Sequence, residues 1–250
     1  MGNGRILLIG ATDLAAAVAR QLVTNGIPVV GIVGASSTFS ISYRPSGMFN
    51  SRHVNMSVLA SDIGAQYREI TATDDLLYFA QEVKANLLIV AGWHKFVSKR
   101  LREYFPFPCL GLHASLLPRY RGGAPLNWTI LNGDSEGGVS LFELADGIDE
   151  GAIYGQHSFP ILDTDYIGDL VKRSEECFLR LLNETIPSIL AGTSIPHPQA
   201  GNVSYSLQRF PEDGLIEWNQ PVIRFLRLVR AISHPYPGAF AFLDGKKIFI

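Results

Sequence analysis

Residues 5–33 read RILLIGATDLAAAVARQLVTNGIPVVGIV. Arg5–Gly10 is a short apolar run closed by a glycine, and Ile27–Val33 is a second apolar run without polar alternation. Between them Leu14, Val18 and Leu22 recur with helical spacing, and Asn25-Gly26 supplies a helix stop. A continuously apolar strand is one covered on both faces, as in a parallel sheet, and strand, helix, strand is the unit that builds such a sheet. The expected fold class is therefore α/β with a mostly parallel central sheet.

Working outward, Gly34 to Asn55 is Ser-, Gly- and Asn-rich with little periodicity, so it reads as a long loop, either lining a substrate site or lying on the surface. A helix is expected from after Val54 to Ile63, a strand at Tyr67–Ile70, and a helix capped by Thr73-Asp74-Asp75 that runs to Val83. Asn86–Ala91 and Pro108–Leu112 are further buried strands. A helix is expected over Ala124–Asn132 with Pro125 at its first position. Val139–Leu144 and Ile153–Ile161 read as strands flanking a turn at Asp146–Gly151. Thr164 and Asp165 are expected to cap a long helix ending near Gly192, with Ile167, Leu170, Val171, Phe178 and Leu181 on one face. Residues 1–192 then form the main domain. The remainder, 193–250, reads as a Pro/Gly-rich linker over Ile195–Asn219, a helix over Pro221–Ile232, a rigid turn at His234–Gly238 and a hairpin turning at Asp244-Gly245. The last residues are strand-like, which leads to the expectation that further chain follows.

At 250 residues and 47% hydrophobic content the chain can fill a substantial core. A net charge of −2 offers no general attraction to a polyphosphate backbone, so a nucleic-acid partner is not expected. Cys109 and Cys177 have neither disulfide-framework nor metal-ligand spacing, which suits a reducing, cytoplasmic location and no metal. No run approaches a membrane span. A homodimer is the default expectation.

Two strand ends carry candidate chemistry. Gly10 in GATDLA sits where dinucleotide folds hold a phosphate, but Thr12 and Ala15 break the GxGxxG spacing and Asp13 stands where an anion is expected. A tight strand-to-helix turn is the reading preferred over a nicotinamide or flavin site. The second is CLGLHASLLPRYRGGAPLNW, residues 109–128, followed by the turn holding Asp149. His113 ends a strand ahead of a loop with Ser115, Pro118, Arg119, Arg121 and two glycines. An imidazole there can accept a proton from an amine, and a carboxylate such as Asp149 can orient it and support its charged form. A satisfied structural histidine is the alternative. His53, His157 and His197 fit no such set.

HASLLPRYRGGAPLNW, then NGD, GGVSLFEL and DGIDEGAI, resemble the N10-formyltetrahydrofolate-dependent formyltransferases, and LQRFPEDGLIEW with LVRAISHPYPGAF resembles the amino-sugar branch of that family. The resemblance implies a Rossmann-like formyltransferase fold with a small C-terminal extension, and formyl transfer from N10-formyltetrahydrofolate to the amine of a nucleotide-linked amino sugar. It implies that His113 is the general base and Asp149 tunes it. The family asparagine two residues before the histidine, which would hydrogen-bond the formyl oxygen, is Gly111 here. An engineered change, a variant whose donor comes from water or another residue, and an inactive member that binds without turnover all remain open, as does a packing glycine. By the same resemblance Ala91, Gly92 and Trp93 hold the pterin, with Trp93 as a core aromatic the alternative. Ser115, Leu116, Leu117, Pro118 and Asp146 line the donor side, and Asn127, Arg209 and Tyr236 meet the acceptor and its diphosphate. Methionyl-tRNA transfer, deformylation and a dinucleotide oxidoreductase are the competing functions.

Overall fold

The structure is a computed structural model that describes residues 4–41, 44–69 and 75–250. In chain order β1 (Ile6–Ile9), α1 (Asp13–Thr24) and β2 (Val29–Gly34) form the opening unit, with Gly26 in the left-handed region after the helix. Next come β3 (Thr38–Ile41), β4 (Arg44–Phe49), α2 (Met56–Ile63), β5 (Gln66–Glu69), α3 (Asp75–Glu82), β6 (Leu87–Ala91), α4 (Lys99–Arg102), β7 (Cys109–His113) and β8 (Arg121–Gly122). The rest is α5 (Pro125–Asn132), β9 (Glu136–Glu143), β10 (Ile153–Pro160), α6 (Ile167–Leu190), β11 (Tyr205–Ser206), a 3-10 turn at Pro211–Gly214, α7 (Val222–Ile232), β12 (Phe240–Leu243) and β13 (Lys246–Phe249).

Seven strands form one sheet in the order β10-β9-β7-β6-β1-β2-β5. β7, β6, β1, β2 and β5 are parallel, while β9 and β10 add an antiparallel edge. Alternation within β1 builds both layers. Ile6 and Leu8 join a core with Val18, Leu22, Ile89, Leu110, Phe178 and Ile232, whereas Leu7 and Ile9 join Leu76, Phe79, Leu88 and Leu101. The α/β expectation holds. The cap expected at Thr73-Asp74-Asp75 lies outside the described residues, as does Ile70 of the strand expected at Tyr67–Ile70.

Three readings need correction. The long loop of 34–55 contains a ribbon, because β3 and β4 pair antiparallel with each other; TFSIS alternates with period 2, which is strand rather than loop chemistry. The long helix is capped by Tyr166 rather than by Thr164 and Asp165, with the Tyr166 N–H donating to Asp169 at 2.9 Å. Asp165 instead accepts from Leu162 N and the Arg173 guanidinium. The 195–219 segment is no free linker, because β11 lies parallel to β8 and His197 bridges Ile153. The expected terminal hairpin is present, with Asp244 and Gly245 both at positive φ as a two-residue turn requires.

At the head of α1, Thr12 caps the helix and Asp13 pairs with Arg52 at 2.6 Å. A carboxylate with its own guanidinium thus stands where a dinucleotide fold would need room for phosphate.

Candidate active site

β7 delivers His113 to the carboxyl edge of the sheet, alongside the end of β6, where open α/β sheets place their ligand contacts. The residue is 7% exposed. Its Nδ1 lies 3.3 Å from Asp149 Oδ2, and its Nε2 lies 2.7 Å from the Tyr120 carbonyl oxygen. Both ring nitrogens thus face oxygen atoms.

Asp149 reaches this point because the β9–β10 connection folds back, with Asp149 itself at φ 50. Its Oδ2 also accepts from Gly122 N at 2.8 Å, and its carbonyl accepts from Gln199 Nε2 at 2.7 Å. Gln199 donates a second bond to Gly151 O at 2.9 Å, and its Oε1 accepts from Arg121 Nε and Nη2 at 3.1 and 2.7 Å. One amide therefore ties the Asp149 turn to the loop after His113. Gln199, Tyr120 and Gly122 escaped sequence reading because no periodicity marks them, and two of the three act through the backbone.

The expected site residues divide. Gly92 sits just past β6 at φ 63, and a Cβ there would lie 2.5 Å from Thr12 Oγ1, so close approach of the α1 cap to the end of β6 requires glycine. Trp93 is half-buried against the α3/α4 core, and its indole N–H is buried without an acceptor among the described residues. Ala91, fully buried and paired with Leu112 inside the sheet, exposes nothing to a ligand. His94 follows, with its pKa pushed down to about 4 by burial and by the Lys95 charge.

The SLLP segment is tied into the scaffold by hydrogen bonds. Ser115 Oγ donates to Arg119 O at 2.6 Å, Ser140 Oγ donates to Ser115 O and accepts from Leu117 N, and Gln156 Nε2 donates to Leu117 O. Leu116 packs on Gly138, and Pro118 O accepts from Ser204 N at 3.1 Å. Asp146 pairs with Arg102 and is otherwise exposed. Asn127 is 2% exposed and donates to Ala231 O at 2.7 Å, so its amide joins α5 to α7.

Arg209 lines a cavity of about 580 Å³ between α5 and α7, with its guanidinium 5.2 Å from the Trp128 ring centre and Nη2 donating to Asp213 O. Burial lowers its pKa against the opposing charge of Asp213. Tyr236 hydrogen-bonds Arg52 at the head of α1; burial raises its phenol, Arg52 opposes this and Asp13 adds to it.

Gly111 pairs with Phe142 across β7 and β9. A Cβ on it would lie 2.6 Å from Phe142 Cε1 and 2.9 Å from Leu144 Cδ2, so the space beside this glycine is filled by apolar side chains.

The pattern of the formyl transferase family matches residues 5–186, and that of the formyl transferase C-terminal domain matches residues 209–250. The chain belongs to the formyl transferase family. Among its relatives, the bifunctional polymyxin resistance protein ArnA of Wigglesworthia glossinidia brevipalpis is 35% identical over 173 residues, 69% of this formyltransferase and 26% of that protein. A methionyl-tRNA formyltransferase of Syntrophus aciditrophicus is 30% identical over 254 residues, covering 100% of this chain and 79% of the relative. Among solved structures, an N-formyltransferase from Helicobacter canadensis, in complex with folinic acid and dTDP-3-aminofucose, shares the fold at a TM-score of 0.74 and 20% identity, over 98% of this chain and 86% of that one. Among the described residues of this formyltransferase no helix is long and apolar enough to cross a membrane.

Proposed function

We propose that this formyltransferase moves a formyl group from N10-formyltetrahydrofolate to the amine of a nucleotide-linked amino sugar. The observation that carries this reading is the His113–Asp149 pair at the strand edge beside Gly92 and Trp93. The end of β6 fits a folate on chemical grounds. Among the described residues the buried Trp93 indole N–H has no acceptor, Gly92 leaves its backbone exposed, and Val90 and Leu144 supply apolar cover. When bound there, the folate supplies the formyl carbon that the amine attacks.

His113 Nε2 takes the proton that the attacking nitrogen loses and returns it to the departing folate nitrogen. For this the nitrogen exchanges its contact with Tyr120 O for the amine, which leaves that carbonyl within reach of the amine's second N–H. Asp149 holds Nδ1 and stabilises the imidazolium, while Gly122 N and Gln199 hold Asp149. Arg209, with its planar fork, is assigned to the diphosphate and Tyr236 to the sugar or base.

The sugar acceptor is supported by the Helicobacter canadensis neighbour, solved with an amino-sugar nucleotide. A second reading, transfer to methionyl-tRNA, is favoured by the sequence relatives of that name. The net charge of −2 weighs against it, because a tRNA partner is held largely by neutralised phosphates. The test is release of tetrahydrofolate from N10-formyltetrahydrofolate with UDP- and dTDP-linked 3-amino and 4-amino sugars, with methionyl-tRNA, and with no acceptor. Release that needs an amino sugar is expected. Release only with methionyl-tRNA establishes the second reading, release without acceptor means hydrolysis, and folate binding without release under any condition means a binding protein.

A further inference from the structure

The position two residues before His113 carries no side chain, and the volume beside it belongs to Phe142. That ring is 2% exposed and stands across the β7–β9 pairing from Gly111. A Cβ at 111 would meet Phe142 Cε1 at 2.6 Å and Cζ at 2.7 Å, closer than real carbons approach, and Leu144 Cδ2 at 2.9 Å blocks the way around. Phe142 packs with Leu117 and Ile153, and Leu144 closes the group, so its ring is seated rather than hanging free.

The same ring meets His113. The two centroids are 6.5 Å apart with the planes at 86°, an edge-to-face pair. The imidazole is thereby held by three unlike groups: the Asp149 carboxylate on Nδ1, the Tyr120 carbonyl on Nε2 and the Phe142 ring. The two polar contacts fix which atoms the nitrogens address. The aromatic contact adds to Asp149 in limiting rotation about χ2, and both remain when Tyr120 gives way to a substrate amine.

We propose that Phe142 is a positioning residue for formyl transfer, and that Gly111 is glycine because the Phe142 ring needs its space. This rests on the reading of His113 as the base. Gly111 and Phe142 then form one unit: any side chain at 111 pushes the ring off its seat and frees the imidazole. The position at 111 is not a vacancy waiting for a donor, and adding one there lowers the rate.

The test is a double-mutant cycle of Gly111→Ala and Phe142→Ala, with Phe142→Met as the volume-conserving variant. Tetrahydrofolate release reads kcat and KM, and the ¹⁵N resonances of the His113 ring read its state without turnover. Phe142→Ala is expected to lower kcat about tenfold, the scale of one lost edge-to-face pair. KM for the folate should stay within about twofold, as the ring pair orients the base rather than the folate. The His113 ring signals should shift or broaden, as a less restrained ring samples more orientations. Phe142→Met should recover most of the loss. Gly111→Ala should mimic Phe142→Ala, and the double variant should be no worse than either single one. Unchanged ring signals in a Phe142→Ala protein that melts like the parent would overturn the proposal, as would single effects that multiply in the double variant. If Phe142→Ala does not fold, Phe142→Met and Gly111→Ala decide by the same ring signals. If the parent turns over no acceptor, the formyl-transfer reading fails by itself, and the ring resonances still judge whether Phe142 holds His113.

Discussion

Gln199 is the residue with the most uses near the candidate base. It satisfies two carbonyls of the Asp149 turn and the buried Arg121 guanidinium together. Truncation removes the partner of both carbonyls and two of the guanidinium's bonds, and each buried group left unpaired costs about 1–3 kcal/mol. Gln199→Ala should therefore lower the melting temperature by several degrees, and it should lower kcat because Asp149 loses its tether; a melt and rate equal to the parent's would show the tether to be idle. His94 makes a different prediction, in pH. Its folded pKa is pushed to about 4 from an ordinary 6.5, by burial and then by Lys95, so between those values the unfolded chain binds a proton that the folded chain does not. Stability thus rises with pH from about 4 to about 6.5 and is level in this respect above that. His94→Gln should flatten the rise in urea midpoints measured across that window. An unchanged slope would mean the ring is solvated.

At the scale of the element, α6 shows how a helix is started from outside its own first turn. Asp165, buried just ahead of it, accepts from Leu162 N at 2.7 Å and from both terminal nitrogens of Arg173, one turn in. The hydrogen bonds of Arg173 hold the Asp165 carboxylate below its usual range. That contribution is therefore complete above ordinary carboxylate pH and is lost as pH falls through the lowered value. Asp165→Asn keeps the shape but removes the charge from charge-assisted bonds worth roughly 1.5–3 kcal/mol. The expected outcome is a lower melting temperature at pH 7 and a difference that shrinks as the pH is lowered below the ordinary carboxylate range, read by circular dichroism. α6 also spans the first core from Ile167 to Ile189, so its loosening is felt by β9 and β10 beneath it.

For the whole molecule, the segments after residue 192 are not an appendage in packing terms. Ile216, Ala231, Ile232, Ala239 and Ala241 belong to the same core as Ile6 and Leu8, Asn127 joins α5 to α7, and Gln199 reaches the candidate site. Shared burial makes for shared unfolding. Trp218 reports on the later segments once Trp93 and Trp128 are replaced by Phe, and far-ultraviolet dichroism reports on the main sheet, so their thermal transitions should coincide. Separate transitions would mean that the later segments unfold alone.

Apolar runs without alternation identified the strands of the parallel sheet, the spacing of Leu14, Val18 and Leu22 identified α1, and Asn25-Gly26 its end, because burial on two faces and helical periodicity are local properties of composition and order. The HASLLP stretch and the DGID turn pointed to His113 and Asp149 for a similar reason: the chemistry resides in the residue types themselves. The meeting of those two side chains at 3.3 Å was left to the fold, since it depends on how the β9–β10 turn doubles back over a neighbouring strand. Tertiary structure alone decided that Asn127 joins α5 to α7, that SLLP is tied into the scaffold, that a supposed linker supplies Gln199, and that the space beside Gly111 is already taken by Phe142. Each of these is a contact between segments distant in sequence, and no local pattern encodes which backbone carbonyl or ring will stand at the other end.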